Sequence, residues 1–149
     1  MGSLMLPTSG WVYVDAQVAI YTVDKHPEYA PVCRPLWNAV RTGSIVAVSS
    51  ELVILETLVG PLRDGDTTRA ALREDLWKQA NTRLLPVSQS VLREAARLRA
   101  AQPALKTPDA IHAATSLLHE CKLFVTNDLG FRRMPGLPLA LLDDVLAEP

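Results

Sequence analysis

Five short runs of apolar and β-branched residues punctuate the chain: Trp11–Val14 (WVYV), Ser44–Val48 (SIVAV), Arg83–Val87 (RLLPV), Leu123–Thr126 (LFVT) and Leu139–Leu142 (LALL). Their apolar positions are continuous rather than alternating, the pattern of strands covered on both faces of a parallel sheet. Pro86 has no N–H to give to a ladder, so the third run lies at an edge or ends there. Between the runs lie segments with helical spacing: Ala16–Tyr21, Val32–Arg41, a stretch capped by Ser49 or Ser50 and stopped at Gly60-Pro61, and Asp66–Ala80. Ser88–Gln102 follows, with Leu92, Ala95, Ala96 and Arg99 on one stripe; then Thr107–His119, where Thr107 suits the N-cap and Pro108 the first helical position. Strands alternating with helices predict an α/β fold, a three-layer α/β/α sandwich around a parallel sheet of about five strands.

No repeat, low-complexity tract or second domain breaks this pattern. We read residues 1–10 as a flexible leader, whose Met-Gly-Ser start resembles a vector remnant, and residues 11–149 as a single domain. The segment Thr22–Pro31, with two prolines, is the expected mobile loop. An apolar content of 48% supplies a sizeable core and argues against disorder. The net charge of −1 does not mark a strongly basic nucleic-acid binder, although local basic patches can be masked by acids elsewhere. Cys33 and Cys121 are too few for a disulfide framework and lack thiolate-metal spacing, which predicts a reducing, cytoplasmic setting. No run approaches the roughly 20 apolar residues of a spanning helix, so no membrane association is expected.

The acids change the picture. Asp15 follows the first strand, Asp128 closes the Thr126-Asn127-Asp128 stretch after the fourth, and Asp109 opens a helix that returns along the sheet. In open α/β sheets ligands bind beyond the carboxyl ends of the strands, where these three are expected. Glu56 sits mid-helix among Leu52, Val53, Leu55, Leu58 and Val59, and a half-buried acid must be paired, metal-bound or protonated. Each acid has a structural account: Asp15 as a cap, Asp128 in a turn, Glu56 paired with Arg63 or Arg93, and Asp109 favoured by the helix dipole. Their convergence is what favours chemistry. Crowded carboxylates raise one another's pKa, and the usual resolution is a hard divalent cation, Mg²⁺ or Mn²⁺. Such an ion lowers the pKa of bound water and neutralises charge on a phosphodiester. His112 and His119 lie seven residues apart, too far for joint ligation, and His112 reads as a packed, hydrogen-bonded histidine.

Four blocks, VYVDAQVAIY, VSSELVILETLVGPLR, LKTPDAIHAATSL and LFVTNDLGFRRMPGLPLALLDD, resemble those of PIN-domain ribonucleases, and within them the VapC-type toxins of toxin–antitoxin pairs. The resemblance implies an α/β/α domain whose acids bind Mg²⁺ or Mn²⁺ and cut RNA. Position by position, it places Asp15, Glu56, Asp109 and Asp128 in the catalytic and metal-binding set, with Thr126 and Asn127 as a polar supporting pair. Glu51, in the first turn of its helix, is a weaker match than Glu56. The family often carries Thr or Ser after the first Asp; Ala16 stands here, which removes a hydroxyl that supports the metal site. Arg132 and Arg133 are candidates for the RNA backbone, and Arg63, Arg69 or Arg73 could serve likewise. The resemblance also implies a homodimer and a cognate antitoxin, with Trp37 and Tyr29 as candidates for lining its groove. The rival reading is a PIN-like scaffold that binds RNA or protein without cutting. A phospho-acceptor receiver domain would want a second acid after the first strand, where Ala16 stands, and a haloacid-type phosphatase an Asp two residues on, where Gln17 stands.

Overall fold

The computed structural model describes residues 2–149. Among them, five parallel strands form one sheet: β1 (Trp11–Val14), β2 (Val46–Ser50), β3 (Thr82–Leu85), β4 (Leu123–Thr126) and β5 (Leu139–Leu141), in the order β3-β2-β1-β4-β5. The helices between and after them are α1 (Ala16–Val23), α2 (Tyr29–Thr42), α3 (Leu52–Arg63), α4 (Thr67–Asp75), α5 (Gln89–Ala101), α6 (Thr107–Leu118) and α7 (Leu142–Ala147). The three-layer α/β/α sandwich predicted above is therefore present.

Successive strand side chains face opposite layers. Val12, Val14, Ala47 and Val125 enter one core with α1, α2 and α7. Tyr13, Val48 and Phe124 enter the other with α5, α6 and the 3-10 turn Leu129–Arg133. Both faces are covered, which is why the runs read as continuously apolar. β1 pairs with β2 on one side and β4 on the other, so the chain reverses its direction of sheet growth at β1.

Several element boundaries differ from expectation. β2 extends through Ser49 and Ser50, which pair with Leu84 and Leu85 instead of capping a helix, although Ser50 Oγ still accepts the Leu52 N–H at 3.1 Å. β3 ends at Leu85, immediately before Pro86. α3 runs through Gly60-Pro61 to Arg63. Pro61 has no N–H for the carbonyl of Thr57, four residues back, but Arg73 Nη1 donates to that oxygen at 2.8 Å. The same guanidinium pairs with Asp24 at 2.6 Å, tying α3, α4 and the end of α1 together. Asp66 caps α4 by accepting the Arg69 N–H at 2.9 Å, and the helix tightens into a 3-10 turn at Leu76–Lys78. In α5 the buried stripe is Val91, Ala95 and Leu98; Leu92 faces solvent. α7 was not expected, and its six residues are too few to show a helical period.

The segment Thr22–Pro31 is organised around His26, whose Nδ1 accepts the N–H groups of Glu28 and Tyr29 and whose ring packs against both Tyr21 and Tyr29. In residues 2–10, Leu4 is buried in the first core and the Gly2 N–H donates to the Val145 carbonyl at 3.0 Å. No helix among the described residues is long and apolar enough to cross a membrane.

Candidate active site

The reversal at β1 leaves a crevice at the carboxyl ends of β1 and β4, the place where open α/β sheets bind ligands. Asp15 stands at the end of β1. Its N–H continues the ladder to Val125 at 3.0 Å, and its Oδ1 accepts the Ala16 N–H at 2.8 Å, so it caps α1 as well as facing the crevice. Thr126, at the end of β4, donates its hydroxyl to Asp15 Oδ2 at 2.6 Å and accepts the Asp128 N–H at 3.0 Å. One buried threonine thus sets the posture of two acids. Asp128 Oδ1 accepts the Gly130 N–H at 2.8 Å, and a Cβ at residue 130 would stand only 3.1 Å from that oxygen, so glycine leaves the carboxylate its turn.

Asp109 lies in the first turn of α6, as expected, but the N-cap is Lys106 rather than Thr107. Thr107 Oγ1 instead accepts Arg99 Nη1 at 2.9 Å. Glu56 projects from α3 to His112 of α6: Oε1 is 2.5 Å from Nε2. It pairs with neither Arg63 nor Arg93. His112 is 1% exposed, and its Nδ1 lies 2.6 Å from the Tyr13 hydroxyl, which also accepts the Ser50 N–H at 3.0 Å. A carboxylate oxygen can only accept, so Nε2 is the donor to Glu56, and in a singly protonated ring Nδ1 then accepts the Tyr13 hydroxyl.

The four acids line one cleft of about 690 Å³, together with Gln17, Asn127 and Leu129. Their electrostatics show the crowding. Burial raises the Asp15 carboxyl above its ordinary value, and the Glu56 charge adds to this, against the opposing pull of His112 and the Thr126 hydroxyl. Burial also raises Asp109, with the charges of Asp128 and Asp15 next in weight. Burial alone would lower His112, but the Glu56 hydrogen bond and the Asp15 and Asp109 charges outweigh it and raise the imidazole. With either one proton or two on the ring, Nε2 carries a proton facing Glu56.

Among the described residues, no three His, Cys, Asp or Glu side chains are grouped tightly enough to enclose an ion by themselves. The donor set is nevertheless that of a hard cation. It consists of carboxylate oxygens on a wide cleft with no thiolate, suited to an ion that keeps several waters and takes one or two protein carboxylates. The two arginines predicted for RNA separate: Arg132 is paired with Asp144 at 2.5 Å, whereas Arg133 faces a second concavity beside Asp109 and Asp128. Asn127 lines the cleft, but its Oδ1 accepts the Asp143 N–H at 2.9 Å and so holds the start of α7.

A parallel five-stranded sandwich with acids at the β1/β4 crevice defines the class, and comparison with known proteins gives the family. The chain belongs to the PIN domain family, whose model matches residues 12–137. A search of the curated proteins finds no match. Among solved structures, the chain is similar to VapBC2 from Rickettsia felis bound to a DNA fragment from its promoter, with a TM-score of 0.71, 17% identity, and 89% of this chain and 98% of that chain covered. It is similar to DNA-bound VapBC from Salmonella typhimurium, with a TM-score of 0.68, 17% identity, and 89% and 98% covered. It is also similar to a toxin–antitoxin complex from Klebsiella pneumoniae, with a TM-score of 0.62, 22% identity, and 88% and 97% covered. At these identities the likeness is one of fold.

Sequence reasoning missed Tyr13; it read His112 as a packed, hydrogen-bonded histidine, which it is, but did not find Glu56 as its partner. The available signal was the i, i+3 spacing of Asp109 and His112, which sets both on one side of α6.

Proposed function

We propose that this chain is a metal-dependent endoribonuclease, the VapC-type toxin of a type II toxin–antitoxin pair. The observation that carries the reading is the gathering of Asp15, Glu56, Asp109 and Asp128 on one cleft at the reversal point of a PIN-domain sheet. Asp15 and Asp109 would hold Mg²⁺ or Mn²⁺, with Asp128 and Glu56 completing the site or orienting a water. When bound, the cation neutralises charge on the phosphodiester and makes water a better nucleophile. The chain's own part is positional: Thr126 holds Asp15 and Asp128, and His112 holds Glu56.

Protein partners have two surfaces available. Trp37 lines a groove of about 400 Å³ bordered by Lys25, Arg34 and Arg41, a cationic rim suited to an acidic antitoxin segment. Tyr29 stands apart from it, stacked on Tyr21 and donating its hydroxyl to Asp143 at 2.6 Å. Leu55, Val59 and Leu62 form an exposed apolar stripe on α3, next to Glu56, which suits a second copy of the chain. Cys33 and Cys121 are both free and buried, and burial pushes their thiols up to about 11, which fits a reducing cytoplasm.

The test is incubation of a structured RNA with the protein in Mg²⁺ or Mn²⁺ and in chelator, repeated with Asp15→Asn and Asp109→Asn. Metal-dependent cutting lost in both variants is expected. Cutting at an unchanged rate in either variant, or binding without cutting in both metals, would overturn the nuclease and favour a scaffold.

A further inference from the structure

Asp109 and Asp128 form a divide. On one side is the acid cleft; on the other is a separate concavity of about 200 Å³ bordered by Lys106, Arg133, Leu105, Met134 and Gly130. The two spaces adjoin at Asp109 and Asp128, so a chain laid across the acids has room to run on into the second. Its chemistry is different. The two shared carboxylates are its only acids, while Lys106 and Arg133 bring two exposed cations. Leu105 and Met134 supply an apolar floor and are only 7% and 4% exposed. The wall is held in place: Arg99 Nε donates to the Leu105 carbonyl at 2.8 Å, and the Met134 N–H donates to Phe131 at 3.0 Å. Gly130 contributes no side chain, so the space stays open.

We propose that this concavity is a subsite for the nucleotide next to the scissile phosphate, with Lys106 and Arg133 on its phosphate and its base on Leu105 and Met134. The proposal rests on the nuclease reading of the adjoining cleft. Cations beside an apolar floor match one nucleotide: an anionic linkage attached to a flat ring. A thioether is well suited to that ring, since sulfur packs favourably against aromatic edges. The arrangement also answers an electrostatic difficulty. RNA approaching four acids is repelled, and two cations placed just past Asp109 and Asp128 pull the strand over them.

Met134 carries one of three methionine methyls in the chain, so its resonance in ¹³C-methyl-methionine spectra can be assigned by Met134→Leu and followed directly. The probes are adenosine and uridine 5′-monophosphate in chelator, with inorganic phosphate for comparison. A saturable ring-current shift of the Met134 methyl is expected with the nucleotides and not with phosphate. Lys106→Ala/Arg133→Ala should weaken it by about tenfold. Both side chains are exposed, so the double variant keeps the fold. In cutting assays the same variant should slow wild-type RNA but not a substrate whose flanking linkage is an uncharged methylphosphonate. An unmoved methyl, or a double variant that titrates like the parent, overturns the subsite. Cutting with a silent Met134 would sink the subsite alone; a normal titration without any cutting would sink the nuclease reading and, with it, the place next to a scissile phosphate, leaving only a nucleotide-binding concavity.

Discussion

Nε2 of His112 stands 2.5 Å from Oε1 of Glu56, and this contact joins α6 to α3. Glu56 is the only one of the four acids that does not come from a strand end or the first turn of α6, so its direction depends on this partner. His112→Ala should lower RNA cutting by about 10–100-fold, the usual cost of losing a group that orients a metal-site ligand. His112→Gln places an amide donor near the Nε2 position and should recover part of the loss. Single-turnover cutting at saturating Mn²⁺ distinguishes them; equal rates for the two variants would refute the positioning role.

Tyr13→Phe removes the acceptor of the Ser50 N–H and the partner of His112 Nδ1, both buried. A loss of about 1–3 kcal/mol in unfolding free energy is expected, read from urea titration. The ring stacks on Phe124 with centroids 4.8 Å apart, and phenylalanine preserves that packing.

Asp15→Asn should abolish cutting yet stabilise the metal-free protein at neutral pH. A carboxyl whose pKa is higher folded than unfolded binds more protons in the folded state. Its contribution therefore falls as pH rises from the unfolded carboxyl range through the raised folded value. Asp15 and Asp109 are both raised, mainly by burial. The melting temperature of the variant should thus exceed that of the wild type near pH 7 in chelator. The gap should close as pH falls below about 4, where the parent Asp15 is protonated in both states. A constant gap across pH would show that charge is not the cause.

Mn²⁺ should act in the opposite sense. At about 100 times its dissociation constant a ligand of the native state adds about 2.7 kcal/mol. Thermal melts with and without the ion should show this gain for the wild type, and little of it for Asp15→Asn or Asp109→Asn. An equal gain in the variants would place the ion elsewhere.

Arg73→Met should cost about 1–3 kcal/mol, because it strands the Thr57 carbonyl left open by Pro61 and unpairs Asp24. Denaturant unfolding of Arg73→Met beside Arg73→Met/Pro61→Ala checks the mechanism. Restoring an N–H at residue 61 should return part of the loss.

Pro61 also illustrates what a sequence shows. Asp15, Asp109 and Asp128 were legible because strand ends and helix starts are local features, and topology then sends them to one rim. The stop expected at Gly60-Pro61 failed because the remedy, Arg73, lies in another helix. The Glu56–His112 pair was hidden for the same reason, since it depends on which faces α3 and α6 turn to each other. Thr107 was a sound cap by residue type, but Arg99 engages its hydroxyl from eight residues away. Ser49 and Ser50 favour caps by composition, yet the ladder to β3 claims them.

The Thr126–Asp15 bond spans 111 residues of chain. A ribosome making this protein would release the amino-terminal acid long before the strand that orients it, and Asp109 and Asp128 follow late as well. A growing chain therefore cannot bring the four acids together until Asp128 and the strand before it have emerged.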